Sequence, residues 1–187
     1  MLRRIIHGLA LLTAIALAAC SAPPPMAGQG DIDALAREIR ALGAQVDPAE
    51  ADRAARVAYA QTFRLSREYG ITDPPLVHNT KVNAGLRPRG LCWHWAEDME
   101  NRLAQENFET LSLHRAIANS DNPFRIEHST AIISARGDGM YEGIVLDPWR
   151  KGGRLTWTRT REDTHYKWLP RQQVLIAKQE RRARRAN

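Results

Sequence analysis

The chain has 187 residues and a formal charge of +6, with 43% of its residues hydrophobic and 26% charged. Once a leader is set aside, that length leaves room for one domain with a real core and excludes two generous ones. A basic body is excluded too, because the positive balance sits at the ends: Arg3 and Arg4 open the chain, and Lys178, Arg181, Arg182, Arg184 and Arg185 crowd its last ten residues against one acid, Glu180.

At the start, Arg3 and Arg4 precede an apolar run from Leu9 to Ala19, interrupted only by Thr13, that stops at Cys20. A positive beginning followed by an apolar stretch too short to span a bilayer comfortably reads as an export signal. Leu17-Ala18-Ala19-Cys20 resembles the lipobox of bacterial lipoproteins, in which small residues admit the signal peptidase and the cysteine thiol receives diacylglycerol. The resemblance implies a signal peptide over residues 1–19, lipid on Cys20 and a membrane anchor. It further implies the outer membrane, facing the periplasm, because the residue after the cysteine is Ser21 and not Asp. Such a location argues against nucleic acid as a partner. Residues 20–30, with Pro23-Pro24-Pro25, Gly28 and Gly30, form a tether that cannot pack a core.

Ordered structure is expected from about Asp31, as a domain over residues 31–177 followed by a basic tail over 178–187. Ile32, Leu35, Ile39 and Leu42 recur at helical spacing, and Gly43 ends that helix. Asp47-Pro48-x-Glu50 then supplies an N-cap, a first-turn proline and an acidic third position for a helix reaching Tyr69. Asp73-Pro74-Pro75 breaks the chain, and residues 76–89 read as irregular. A third helix runs from Leu91 to about Asn107, with Cys92, Trp95, Ala96, Met99 and Leu103 on one stripe. Beyond it come short β-prone runs at Leu111–Ala118, Ile126–Ala135, Tyr141–Asp147 and Arg154–Thr158. Helices first and an antiparallel sheet afterwards predict an α+β fold. The basic tail either touches anionic lipid or peptidoglycan, or keeps a frayed terminal helix soluble.

With Cys20 acylated, Cys92 has no intramolecular disulfide partner. A free cysteine is ordinarily a small buried apolar residue. Its position here suggests more: Gly90 lets the chain turn sharply into a helix whose first turn carries partial positive charge, which favours a thiolate. A cysteine nucleophile also needs a base and a group that orients the base. His94 lies about 200° around the helix from Cys92, on a polar face with Asp98 and Asn101, and is expected to be solvated. His78, His114 and His165 have no acid placed to orient them. His128 does: a hairpin turn at Gly137-Asp138 makes paired residues sum to 275 and sets His128 opposite Asp147, whereas a turn at Asp138-Gly139 makes the sum 277 and the two residues diagonal neighbours. Both registers keep them on one face.

Gly90-Leu91-Cys92-Trp93-His94-Trp95-Ala96, Glu127-His128-Ser129-Thr130-Ala131 and Val145-Leu146-Asp147-Pro148-Trp149 together resemble the transglutaminase-like and papain-like cysteine enzymes, over roughly Asn79 to Trp149. The Cys, His, Asp order fits the transglutaminase-like group. The resemblance implies Cys92 as nucleophile, His128 as base and Asp147 as its orienter; no cofactor and no metal are expected. The papain-like glutamine of the oxyanion hole has no counterpart, so that role falls to the Cys92 N–H and to Asn83, or Asn79. The expected function is acyl transfer or hydrolysis through a Cys92 thioester, on a peptide, a protein or a peptidoglycan stem peptide. The rivals are an inactive binding or scaffold lipoprotein of the same fold, and a structural one in which Cys92 is merely core. Trp93, Trp95 and Trp149 lie near the triad, Trp95 as core; Arg136-Gly137-Asp138 is a hairpin tip; Cys92 and His94 diverge too far to share a metal.

Overall fold

Capping and apolar spacing account for most of the helical half. The structure, a computed structural model, describes residues 23–186, so the expected signal peptide and lipidation site Cys20 lie outside the described residues. Helix α1 (Gln29–Arg40) buries Leu35, Ala36 and Ile39. Helix α2 (Pro48–Glu68) begins where Asp47 Oδ1 accepts the N–H groups of Ala49 and Glu50 at 2.6 and 3.1 Å, satisfying donors that a helix start leaves free. The third-position acid has a longer reach than capping requires. Buried Glu50 accepts the N–H groups of Glu109 and Thr110 at 2.7 and 2.8 Å and the Thr110 hydroxyl at 2.5 Å, tying the start of the sheet to α2. Burial opposes its charge, but these bonds and Arg53 hold the carboxyl below the usual carboxylate range.

The stretch expected to be irregular contains a third helix, α3 (Pro75–Asn83). Pro74-Pro75 reads as a break, yet proline's fixed φ and missing N–H suit a first helical turn. The helix buries only His78, so it offers no apolar stripe for periodicity to register. Helix α4 (Cys92–Ala104) buries the whole expected stripe from Cys92 to Leu103. It ends before Asn107, which adopts a φ of 50°. None of the described helices is long and apolar enough to cross a membrane.

Strands β1 (Leu111–Ala118), β2 (His128–Ala135), β3 (Ile144–Asp147), β4 (Thr156–Arg159) and β5 (Trp168–Pro170) form one antiparallel sheet in the order β4-β3-β2-β1-β5. The fold is α+β. Helix α5 (Arg171–Ala186) follows β5 and runs unbroken across the expected boundary at residue 177. On one sheet face Leu111, Ala131, Ile133, Ile144 and Leu146 meet the apolar stripes of α1, α2 and α4. Each large side chain buried there contributes about 1.5–3 kcal/mol. The opposite face carries a smaller cluster of Ala116, Ala118, Ile132, Met140, Val145 and Trp168.

Candidate active site

The register of β2 and β3 pairs Ala131 with Leu146, Ile132 with Val145 and Ile133 with Ile144, so partner numbers sum to 277. This is the second of the two registers read from the sequence, but the connection is not a two-residue turn. Met140 turns into the smaller core and draws Met140–Glu142 into a 3-10 turn outside the ladder. Arg136, at the tip, donates to the carbonyls of Phe108 and Glu109, which fits a structural role for that tripeptide.

In this register His128 and Asp147 are diagonal neighbours, both 1% exposed, and Nε2 of His128 donates to Asp147 Oδ2 at 2.6 Å. A carboxylate can only accept, so the proton resides on Nε2. Burial opposes charge on the imidazole, but the charge and hydrogen bond of Asp147, with a contribution from Cys92, raise its pKa to about 9. Burial likewise opposes charge on Asp147, and His128 and Arg150 hold its carboxyl below the usual carboxylate range.

The position of Cys92 begins with Gly90, whose φ of 124° is a conformation that L side chains rarely adopt. A Cβ there would overlap the His78 ring. His78 Nε2 bonds the Arg89 carbonyl at 2.9 Å and Trp95 Nε1 bonds the Gly90 carbonyl at 3.1 Å, so the turn is clamped on both sides. It delivers Cys92 to the first position of α4, where a backbone N–H has no partner inside the helix. Cys92 is 7% exposed. It lies near enough to His128 to raise the imidazole's pKa, yet Sγ is directed at the Glu127 carbonyl, 3.6 Å away. Nδ1 of His128 is buried and, among the described residues, has no hydrogen-bond partner.

Aromatic rings hold the imidazole in place. Trp149, Tyr166 and Trp168 lie 4.7, 4.6 and 5.3 Å from it between ring centroids. Arg150 completes the support of Asp147: its backbone N–H donates to Oδ1 and its Nε to Oδ2, both at 3.0 Å. Its other guanidinium nitrogens pair with Asp163. Sequence reasoning missed Arg150, Asp163, Tyr166 and Trp168. Arg150 could have been found from its spacing, three residues beyond Asp147; the others come from β5 and the segment leading into it and have no local signal.

His94 departs from expectation. It is buried, not solvated: its Nδ1 accepts the N–H groups of Gly90 and Leu91, each at 3.2 Å, closing the open end of α4. Burial and Arg89 push its pKa down, which suits an acceptor. Asn83 is exposed at the end of α3, whereas Asn79 Oδ1 accepts from Trp149 Nε1 at 3.1 Å. Asn79 is therefore the asparagine tied to a wall of the site. His114 bonds Ser134 at 2.8 Å, and His165 lies exposed in a loop.

A cleft of about 660 Å³ opens onto His128, lined also by Leu76, Phe124, Ile126, Trp149, Arg150 and Tyr166. Cys92 is not on its wall; it joins the cleft through the imidazole and through Glu127, which follows Ile126 in the chain. Among the described residues no cluster of His, Cys, Asp and Glu could hold a metal ion. In comparisons with family models, curated proteins and solved structures, nothing matches this chain.

Proposed function

We propose that this is an envelope lipoprotein, anchored through Cys20, whose transglutaminase-like Cys92-His128-Asp147 triad performs acyl transfer or hydrolysis on an amide or peptide substrate. The observation that carries the reading is the buried His128–Asp147 bond of 2.6 Å beside a thiol on the first turn of a helix. In its neutral form, with the proton on Nε2, His128 takes the thiol proton at Nδ1, and Sγ adds to the substrate carbonyl. The oxyanion that forms is met by the Cys92 backbone N–H. The imidazolium, stabilised by Asp147, returns the proton to the leaving amine or alkoxide as its bond to carbon breaks, leaving a thioester on Cys92. Water or an amine then attacks the thioester, with His128 taking its proton.

The experiment is alkylation of Cys92 by iodoacetamide at pH 7, with the site of labelling read by peptide mass spectrometry. His128→Ala should slow labelling at least about tenfold, because the partner of the thiolate is gone. Equal rates in the two proteins would overturn the reading. One observation favours a second, inactive scaffold reading: Cys92 is 7% exposed and its thiol is directed at a carbonyl and not at the imidazole. Under that reading both proteins label slowly and alike.

A further inference from the structure

The cleft beside His128 has walls of unusual composition for a surface feature. Phe124 is 96% exposed and Ile126 and Leu76 are more than half exposed, yet all three line one concavity with Trp149 and Tyr166. No acidic side chain lines it. Of its two arginines, Arg150 is neutralised by Asp147 and Asp163. The Arg125 guanidinium bonds the His165 carbonyl, at 3.2 Å, and rests over the Tyr166 ring. Among the described residues no carboxylate pairs with it. An apolar floor with one unmatched positive charge at its side suits a ligand with the same two parts in reverse.

We propose that this cleft seats the substrate's acyl-donor portion, which carries a bulky apolar side chain and, beyond it, a carboxylate held by Arg125. The inference rests on the acyl-transfer reading and narrows its substrate to acidic, apolar peptide-like amides or esters. The apolar group packs between Phe124, Ile126 and Leu76, so that the carbonyl to be attacked arrives at the imidazole end of the cleft.

Three reagents with the same reactive carbon test it on the full-length protein: iodoacetamide, N-iodoacetyl-phenylalaninamide and N-iodoacetyl-phenylalanine. In each, Cys92 Sγ forms a bond to the methylene carbon and iodide leaves with the bonding pair. Labelling of Cys92 should be about tenfold faster, and saturable, with the phenylalaninamide reagent than with iodoacetamide, from burial of the ring. The carboxylate should add up to about fivefold more, as a partly exposed ion pair does. Arg125→Gln should erase the second step and keep the first. Phe124→Ser with Ile126→Ser, at exposed positions that do not hold the fold, should erase the first. Ratios of one in the wild type, or preferences that survive these substitutions, would overturn the proposal. The ratios report the cleft, whereas the absolute iodoacetamide rate and its dependence on His128 report the nucleophile. A fast, His128-dependent thiol with ratios of one sinks the cleft alone; a slow thiol with the ratios intact sinks acyl transfer alone.

Discussion

Replacing Asp147 with asparagine keeps the shape of the side chain and removes the charge that holds His128 protonated. In the wild type the imidazole's pKa rises from an ordinary 6.5 to about 9. Folding therefore takes up a proton between those values, and the linked stability is about 3 kcal/mol. Because the folded pKa is the higher one, that contribution is complete below about pH 6.5 and is lost as pH rises through about 9. In Asp147→Asn, burial acts on the imidazole without its main counter-charge, so the uptake disappears. Urea denaturation followed by tryptophan fluorescence at pH 6, 7, 8 and 9 should show the gap between the two proteins shrinking by about 3 kcal/mol across the series. The other perturbed histidines act elsewhere: His94 and His114 have lowered pKa values, so their contributions change below pH 6.5 and are common to both proteins. Asp147's own lowered pKa matters only in acid. A gap that stays constant, or widens with pH, would refute the idea that this pair is a buried imidazolium–carboxylate.

Gly90→Ala should cost about 2–4 kcal/mol by denaturant titration, from backbone strain and displacement of the His78 ring; a loss below about 1 kcal/mol would contradict the clamped turn. His94→Ala leaves the Gly90 and Leu91 N–H groups without an acceptor and should cost about 1 kcal/mol at pH 8. Since the folded pKa of His94 is lowered, this advantage of the wild type is present above pH 6.5 and fades as pH falls below it. For the anchor, Cys20→Ala should abolish incorporation of a labelled fatty acid and processing at this site; label retained in that variant would remove the lipobox reading.

The parts of this protein that its sequence determines are those set by neighbours in the chain. Asp47 caps α2 through N–H groups two and three residues on, and the α4 stripe follows from the helical period, so both were readable before any packing was known. The α+β class is legible for the same reason, from a change of period after Asn107. His128 and Asp147 were legible through parity alone: 275 and 277 are both odd, and sheet pleating places the pair on one face in either case. The sequence also marks Cys92 as unpaired and near a helix start.

Tertiary structure decided the rest, because it depends on residues far apart in the chain. Helix α3 carries no stripe, and only its packing against the Gly90 turn through His78 gives it a place. His94 is polar and near the N-terminus of its helix, and its burial as an acceptor for the turn follows from Gly90's left-handed backbone. Tyr166 and Trp168 reach His128 only because β5 pairs with β1, placing Trp168 beside Ala118. The choice between registers fell to Met140, whose burial in the second core pulled the connection out of the ladder. The direction of Sγ toward Glu127, like the unmatched charge of Arg125, is a matter of distances between elements, which local preferences along a chain do not encode.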